Sequence, residues 1–161
     1  MLTEHHKIAY RNVASKYYNF VPEELDGVVK DFNQRLLAYG YETEGIFFIS
    51  LLSEPTAEVM TAKIFLPIVE SEFQVPVEEA IDFNSYFSVD QLVMTRVKEE
   101  VEKVSQEKYW EIVHYIEERG LQRKTPMFIE FKLDATEKTY VEMSIGVLHS
   151  SMKKENVHFA N

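Results

Sequence analysis

Two glutamates, Glu130 and Glu142, lie within two β-rich runs late in the sequence. Successive side chains of a strand point to opposite faces, so each run has one apolar face and one mixed face. If the two runs pair as a hairpin, the mixed face carries both glutamates together with Phe128 and Tyr140. Carboxylates beside aromatic rings attract an organic cation, each ring contributing about 0.5–2 kcal/mol. The alternation therefore predicts a ligand-binding face for a cation.

The same residues have two other interpretations. Glu130 and Lys132 can be solvated residues on an exposed sheet face, because clustered charge indicates function only statistically. Alternatively, Arg96 can pair with one of the glutamates. The sequence leaves these alternatives open.

The sequence has no comparable pattern for metal binding, phosphate binding or catalysis. His5 and His6 are neighbours, whose side chains point opposite ways along a strand, and the other histidines lack ligand spacing, so we expect no metal site. The chain has no cysteine and only five glycines, none of them spaced as a phosphate-binding loop. Because no nucleophile can be singled out, we expect neither a cofactor nor catalysis.

Two amphipathic helices and two hairpins would position these residues. Apolar residues three or four apart predict helices over 21–39 and 101–116, and Gly40 and Gly120 suit the helix ends. Each helix is followed by two β-rich runs around a polar loop, which predicts a hairpin. The paired runs are 46–52 with 59–68, and 127–133 with 140–148.

The two halves of the chain align at an offset of 80 residues. The aligned pairs include Phe32 with Ile112, Leu36 with Ile116, Gly40 with Gly120, Phe48 with Phe128 and Val13 with Val93. This pattern predicts a structural repeat. It also adds Phe48, with Tyr10 and Tyr18 from the extended segment before the first helix, to the ligand-binding face. Two unrelated β-α-β-β segments in one α+β domain are the alternative.

The predicted fold is therefore α+β, a tandem repeat of two strand–helix–hairpin units within a single domain, 1–149. The repeats span about 5–68 and 83–148, and an acidic stretch with one proline, 69–82, links them. The last residues, 150–161, have little apolar content and are expected to form a flexible tail.

Several segments of this pattern resemble the gyrase-inhibitor-like (GyrI-like) family, also called the bacterial effector-binding domain. They are the helix ending at Gly40, the stretches 41–48 and 64–68, and the second-half run 120–130. The resemblance covers roughly 5–149, and the chain is also similar to uncharacterised stand-alone members from Gram-positive bacteria. It implies antiparallel sheets that line a central groove, with the helices outside.

The resemblance also implies a function for the groove. Many members of the family bind drug-like or cationic small molecules there, and a glutamate commonly lies inside the groove near the start of the second-half hairpin. Glu130 is in about that position, although counting from Gly120 can equally place Phe128 there. The Asp-Pro that usually follows this strand in the family is replaced by Asp134-Ala135.

The net charge of −10 limits the possible partners. Proteins that bind nucleic acid or anionic membranes need clustered Lys and Arg, and no such cluster is present. No apolar segment is long enough for a membrane span or a signal peptide, so we expect a cytoplasmic protein.

The leading hypothesis is a non-catalytic protein that binds a hydrophobic, cationic small molecule. The alternative is an acidic protein-interaction module, an adaptor, inhibitor or chaperone-like protein. The sequence does not predict an oligomeric state.

Overall fold

The computed structural model describes residues 2–148, which form a strand, a helix and a hairpin, and then the same elements again. The first half contains β1 Leu2–Phe20, α1 Leu25–Ala38, β2 Phe47–Leu51 and β3 Met60–Pro67. The second half contains β4 Asp82–Val97, α2 Val101–Glu118, β5 Gln122–Leu133 and β6 Thr139–Leu148. The predicted α+β fold is therefore confirmed. The predicted tail, 150–161, lies outside the described residues.

The strands form one closed antiparallel barrel in the order β1-β3-β2-β5-β6-β4. β1 is long enough to pair with β3 over 13–20 and with β4 over 2–15. β4 pairs in turn with β6, and β2 pairs with β5. The groove expected between two sheets is thus the interior of this barrel.

Both helices pack on the outside of the barrel through one apolar face. The buried helix residues are Phe32 and Leu36 in α1, and Tyr109, Ile112 and Ile116 in α2. Gly40 and Gly120 follow the helices with φ of +86° and +65°, a conformation that glycine adopts without strain. Within residues 2–148, no helix is long and apolar enough to cross a membrane.

The offset between the halves changes along the chain. It is 80 for β2 and β5, but the ladders pair Val13 with Pro67 and Leu92 with Gly146, which is an offset of 79. Two left-handed residues confirm the smaller value, because Asn12 has φ +55° and Gln91 has φ +56°. The predicted match of Val13 with Val93 is therefore wrong by one residue. Its true counterpart is Leu92, and both point into the barrel.

Alternation along the strands produces two apolar cores. The outer core lies between the helices and the barrel wall, where Ile49, Met127 and Val141 are buried with the helix residues. The inner core fills the barrel with a mostly aromatic set. Its members are Ile8, Val13, Phe48, Phe65, Leu92 and Phe128, with Tyr10, Phe87 and Val89 packed against them.

Candidate functional site

The two predicted glutamates lie opposite each other inside the barrel. β5 and β6 pair Glu130 with Glu142, and only 2% and 1% of their surfaces are exposed. The position of Phe128 shows that this face points inward, since Phe128 is two residues before Glu130 and belongs to the inner core. The next pairs of the ladder on the same face are Lys132 with Tyr140 and Phe128 with Ser144. We call Glu130, Glu142, Lys132, Arg96 and His6 the carboxylate cluster.

Three side chains contact the Glu130 carboxylate. The His6 Nε2 atom lies 2.8 Å from its Oε1 atom, and the Tyr10 hydroxyl donates to Oε2 over 3.2 Å. A carboxylate oxygen accepts hydrogen bonds, and His6 donates to it in the tautomer whose Nε2 atom carries a proton. The Lys132 Nζ atom lies 3.5 Å from Oε2. Burial and the neighbouring Glu130 raise the pKa of Tyr10 to about 12, so Tyr10 remains a phenol that can donate.

Glu142 is paired with two cations. The Arg96 Nε and Nη2 atoms donate to Oε2 over 2.9 and 2.6 Å, and the Lys132 Nζ atom lies 2.6 Å from Oε1. Burial alone would raise the pKa of Glu142, but these contacts hold it below its ordinary value of 4.5. Burial would likewise lower the pKa of Lys132, yet the two glutamates hold it above 10.5. Both partners are therefore charged at neutral pH.

A stack of aromatic rings adjoins the cluster. The Phe48 ring is stacked on Phe65 at 4.5 Å between centroids and on Tyr10 at 5.0 Å. Phe87 lies 4.9 Å from Phe65, and Phe128 completes the set. Because Tyr10 also donates to Glu130, the rings and the carboxylates form one continuous surface inside the barrel.

The corresponding ladder of the first half has different chemistry. Ser50 pairs with Lys63 where the second half pairs Glu130 with Glu142. The Lys63 Nζ atom lies 3.0 Å from Asp82 and 4.8 Å from the Tyr17 ring centroid. The carboxylate pair is therefore present in one half only.

Comparison with known proteins assigns a family. Residues 9–150 match a family described as a domain of unknown function, DUF5085. The chain belongs to the DUF5085 family. No protein of curated function matches the sequence.

Three solved structures share the fold of this DUF5085 chain. The EcmrR chain in a cryo-EM structure of an EcmrR–DNA complex has 11% identity and a TM-score of 0.72, covering 92% of this chain. The alignment spans only 58% of the EcmrR chain. The isolated EcmrR C-terminal domain has 10% identity and a TM-score of 0.60, covering 90% of this chain and 98% of that domain. A hydrolase from Listeria innocua has 11% identity and a TM-score of 0.53, covering 90% of this chain and 92% of its own. At these identities the likeness concerns the fold.

The barrel of the DUF5085 chain brings together most of the residues that the sequence singled out. Glu130, Glu142, Phe128, Phe48 and Tyr10 share its interior. The interpretation of Glu130 as a solvated residue is wrong, because β1 closes the barrel over it. The pairing of Arg96 with a glutamate, considered as an alternative, is present at Glu142.

Two predicted residues lie apart from this set. Tyr140 is at its rim, where its ring centroid lies 5.4 Å from the Arg96 guanidinium carbon. Tyr18 is on the outer face, where its hydroxyl donates to Asp31 of α1 over 2.8 Å. Tyr10 and Tyr18 are an even number of residues apart, so simple alternation would place them together. The left-handed residue Asn12 lies between them and reverses the alternation.

His6 is a member of the site that the sequence did not indicate. His6 and Glu130 are 124 residues apart, and only the β1–β4 pairing that closes the barrel brings them together. The ligand atoms of His6, Glu130 and Glu142 lie within 4.8 Å of one another, a set that could hold a divalent ion. Such an ion would have to displace the positive charge of Lys132, so the expected absence of a metal site stays a prediction.

A cavity of about 460 Å³ lies further along β6 from the cluster. It lies where the pairing of β4 with β6 ends at Leu92 and Gly146, and its lining includes Gln91, Lys124 and Gly146. Val89 also lines the cavity and packs against the inner core, so the two adjoin. The carboxylate cluster does not line this cavity.

Proposed function

We propose that this chain is a non-catalytic binding protein whose barrel interior receives a hydrophobic, cationic small molecule. The observation that carries the proposal is a pair of fully buried carboxylates, Glu130 and Glu142, beside a stack of aromatic rings. Buried charge is costly unless it is paired. Here one of the paired cations, Lys132, is a flexible side chain that is one-third exposed and can be replaced.

The arrangement supports binding better than catalysis. Each carboxylate accepts contacts from two or three donors, so neither is free to act as a base without losing a partner. The histidine of the cluster, His6, contacts the Glu130 carboxylate rather than a hydroxyl that it could activate as a nucleophile. A net charge of −10 also favours a cationic ligand over nucleic acid.

We further propose that the chain is a divergent relative of the GyrI-like, effector-binding family. The support is the shared fold with the EcmrR C-terminal domain together with the position of Glu130 inside the groove. The Listeria innocua hydrolase shares the fold at 11% identity, but fold does not imply function, so this likeness does not support hydrolysis by the chain.

The acidic protein-interaction module is a second candidate, and one observation favours it. The inner core is closely packed, with ring centroids 4.5–5.0 Å apart around Phe48, so a ligand must displace rings or Lys132 to enter. A protein partner would instead use the outer surface, where Trp110 on α2 is 44% exposed. The binding experiment below separates the two candidates.

A thermal-shift titration tests the ligand-binding proposal. Arylalkylammonium ions such as protonated 2-phenylethylamine are expected to raise the Tm, whereas neutral molecules of the same shape, such as 2-phenylethanol, are not. A ligand at a hundred times its Kd stabilises by about 2.7 kcal/mol, and about 1 kcal/mol corresponds to about 2–4 °C in a domain of this size. We therefore expect shifts of about 5–10 °C.

The variant Glu130→Gln is expected to abolish the shift, because it removes one charge from the buried face. Glu99→Gln is the matched control, since Glu99 is exposed and forms an ion pair with the exposed Lys138, away from the barrel interior. Equal shifts in both variants, or equal shifts with the neutral molecules, would contradict the proposed site. The absence of any shift, with a stable complex to another protein, would favour the interaction module.

A further inference from the structure

The Lys132 ammonium already occupies the place that a ligand cation would take. It lies 2.6 Å from Glu142 and 3.5 Å from Glu130, and so bridges the two carboxylates. Its side chain leaves the strand at the rim of the cluster, opposite Tyr140. The rim position and the exposed third of the side chain allow it to move into solvent without unfolding the hairpin.

The charge of the cluster sets the charge of its ligand. Two glutamates are balanced by Lys132 and Arg96, so the paired cluster is neutral when His6 is neutral. Arg96 contacts one oxygen of Glu142 through two nitrogens and leaves the other to Lys132. If Lys132 swings out, one negative charge remains, which a single monovalent cation can neutralise.

The contact distance sets the kind of cation. The Lys132 Nζ atom forms an ion pair with Glu142 Oε1 at 2.6 Å, but the contact is not aligned as a hydrogen bond, and Oε1 has no hydrogen-bond partner within the described residues. A ligand nitrogen that carries hydrogens could approach as closely and donate to Oε1, and such charge-assisted hydrogen bonds are about twice as strong as neutral ones. The methyl groups of a quaternary ammonium would hold its nitrogen well beyond this distance. The position suits an ammonium that can donate.

A further polar group beside the cluster is unsatisfied. Ser144 is two residue pairs along the hairpin from Glu142, on the same face, and lies opposite Phe128 of the inner core. Its hydroxyl is fully buried and has no hydrogen-bond partner within the part of the chain that the structure describes. Buried hydroxyls are rarely left unpaired, so this group is available to a polar ligand or a water molecule.

On the basis of the proposed function, we infer that the ligand carries a protonated primary or secondary amine that replaces the Lys132 ammonium between Glu130 and Glu142. Lys132 is then a tethered competitor that occupies the site when no ligand is bound. The chain discriminates against quaternary cations, and the aromatic part of the ligand packs on Tyr10 and Phe48.

Calorimetric titration of two probes tests the cation class. The probes are 2-phenylethylamine, which is protonated at neutral pH, and its N-trimethylated quaternary form. The unmodified chain should bind the amine at least about tenfold more tightly. Lys132→Met should tighten amine binding by about a further tenfold. The apparent affinity falls in proportion to the fraction of time that Lys132 leaves the site open, and this variant keeps the site open. Lys138→Met, in the turn of the same hairpin, should behave as the unmodified chain.

A rescue experiment tests the ammonium position with a probe that has no aromatic ring. Lys132→Ala removes the atoms that n-propylammonium contains, so about 100 mM propylammonium chloride should raise the Tm of that variant by about 3–6 °C. Tetramethylammonium chloride at equal concentration should give only the shift of sodium chloride. The double variant Lys132→Ala with Glu142→Gln should lose the rescue.

The outcomes separate the inference from the proposed function. Equal binding of both probes, weaker amine binding by Lys132→Met, or equal rescue by both salts would overturn the inference while leaving a cation site in place. If neither probe binds the unmodified chain or Lys132→Met, the proposed function fails. Propylammonium rescue in that case would still support the ammonium position.

Discussion

Phe48→Ala is expected to lower the free energy of unfolding by about 3–5 kcal/mol, the usual cost of removing a fully buried aromatic ring. Phe48 is 1% exposed and contacts Phe65, Tyr10 and Phe87 at centroid distances between 4.5 and 5.4 Å. These neighbours come from three different strands around the barrel, so they cannot all move inward to fill the void. Urea unfolding followed by circular dichroism measures the loss.

Phe47→Ala is the matched control for this prediction. Phe47 is the preceding residue of β2, lies on the outer face and stacks on Phe131 at 4.5 Å, but it is only partly buried. Its truncation should cost clearly less. If Phe48→Ala costs under about 1 kcal/mol, or no more than Phe47→Ala, then the interior is not the closely packed core described above.

Glu142→Gln is expected to lower the free energy of unfolding by about 2–4 kcal/mol at neutral pH. The change leaves Lys132 and Arg96 without their common counter-ion, and removing one partner of a buried ion pair costs about 3–5 kcal/mol. The lower range applies because both cations are partly exposed and can turn to solvent. Urea unfolding at low ionic strength is the measurement.

The loss should depend on pH in a defined direction. The folded-state pKa of Glu142 lies below 4.5, so this carboxylate contributes stability that is present above about pH 4.5 and is lost as the pH falls through the folded pKa. The unmodified chain and Glu142→Gln should therefore converge in stability under acid conditions. Glu99→Gln, which alters an exposed pair 3.6 Å apart, should cost less than about 1 kcal/mol at every pH. A constant difference between pH 7 and pH 3 would contradict the ion-pair account.

The elements and their inward faces could be predicted because they depend on short-range patterns. Helical spacing placed Phe32 and Leu36 on the buried face of α1, and strand alternation placed Glu130 and Glu142 on one face of a hairpin. Both patterns extend over a few residues and need no knowledge of the tertiary fold.

The contacts of the site could not be predicted because they depend on barrel closure and on single irregular residues. His6 reaches Glu130 only through the pairing of β1 with β4. A left-handed residue, Asn12, reverses the alternation and moves Tyr18 to the outer face. Asparagine adopts this conformation more often than most residues, but a single Asn within a β-rich run does not predict it, and Gln91 carries no such signal.

The two hairpins carry different side chains at corresponding positions, and this difference affects the symmetry of the proposed ligand site. Two identical units related by a twofold axis would carry every feature twice, including any pair of acids. Joining the units in one chain removes that constraint, so one hairpin can hold two acids while its counterpart holds Ser50 and Lys63. The backbone of the barrel is thus repeated in the two halves, whereas its acidic groups are not, and a ligand bound as proposed above would have a single orientation.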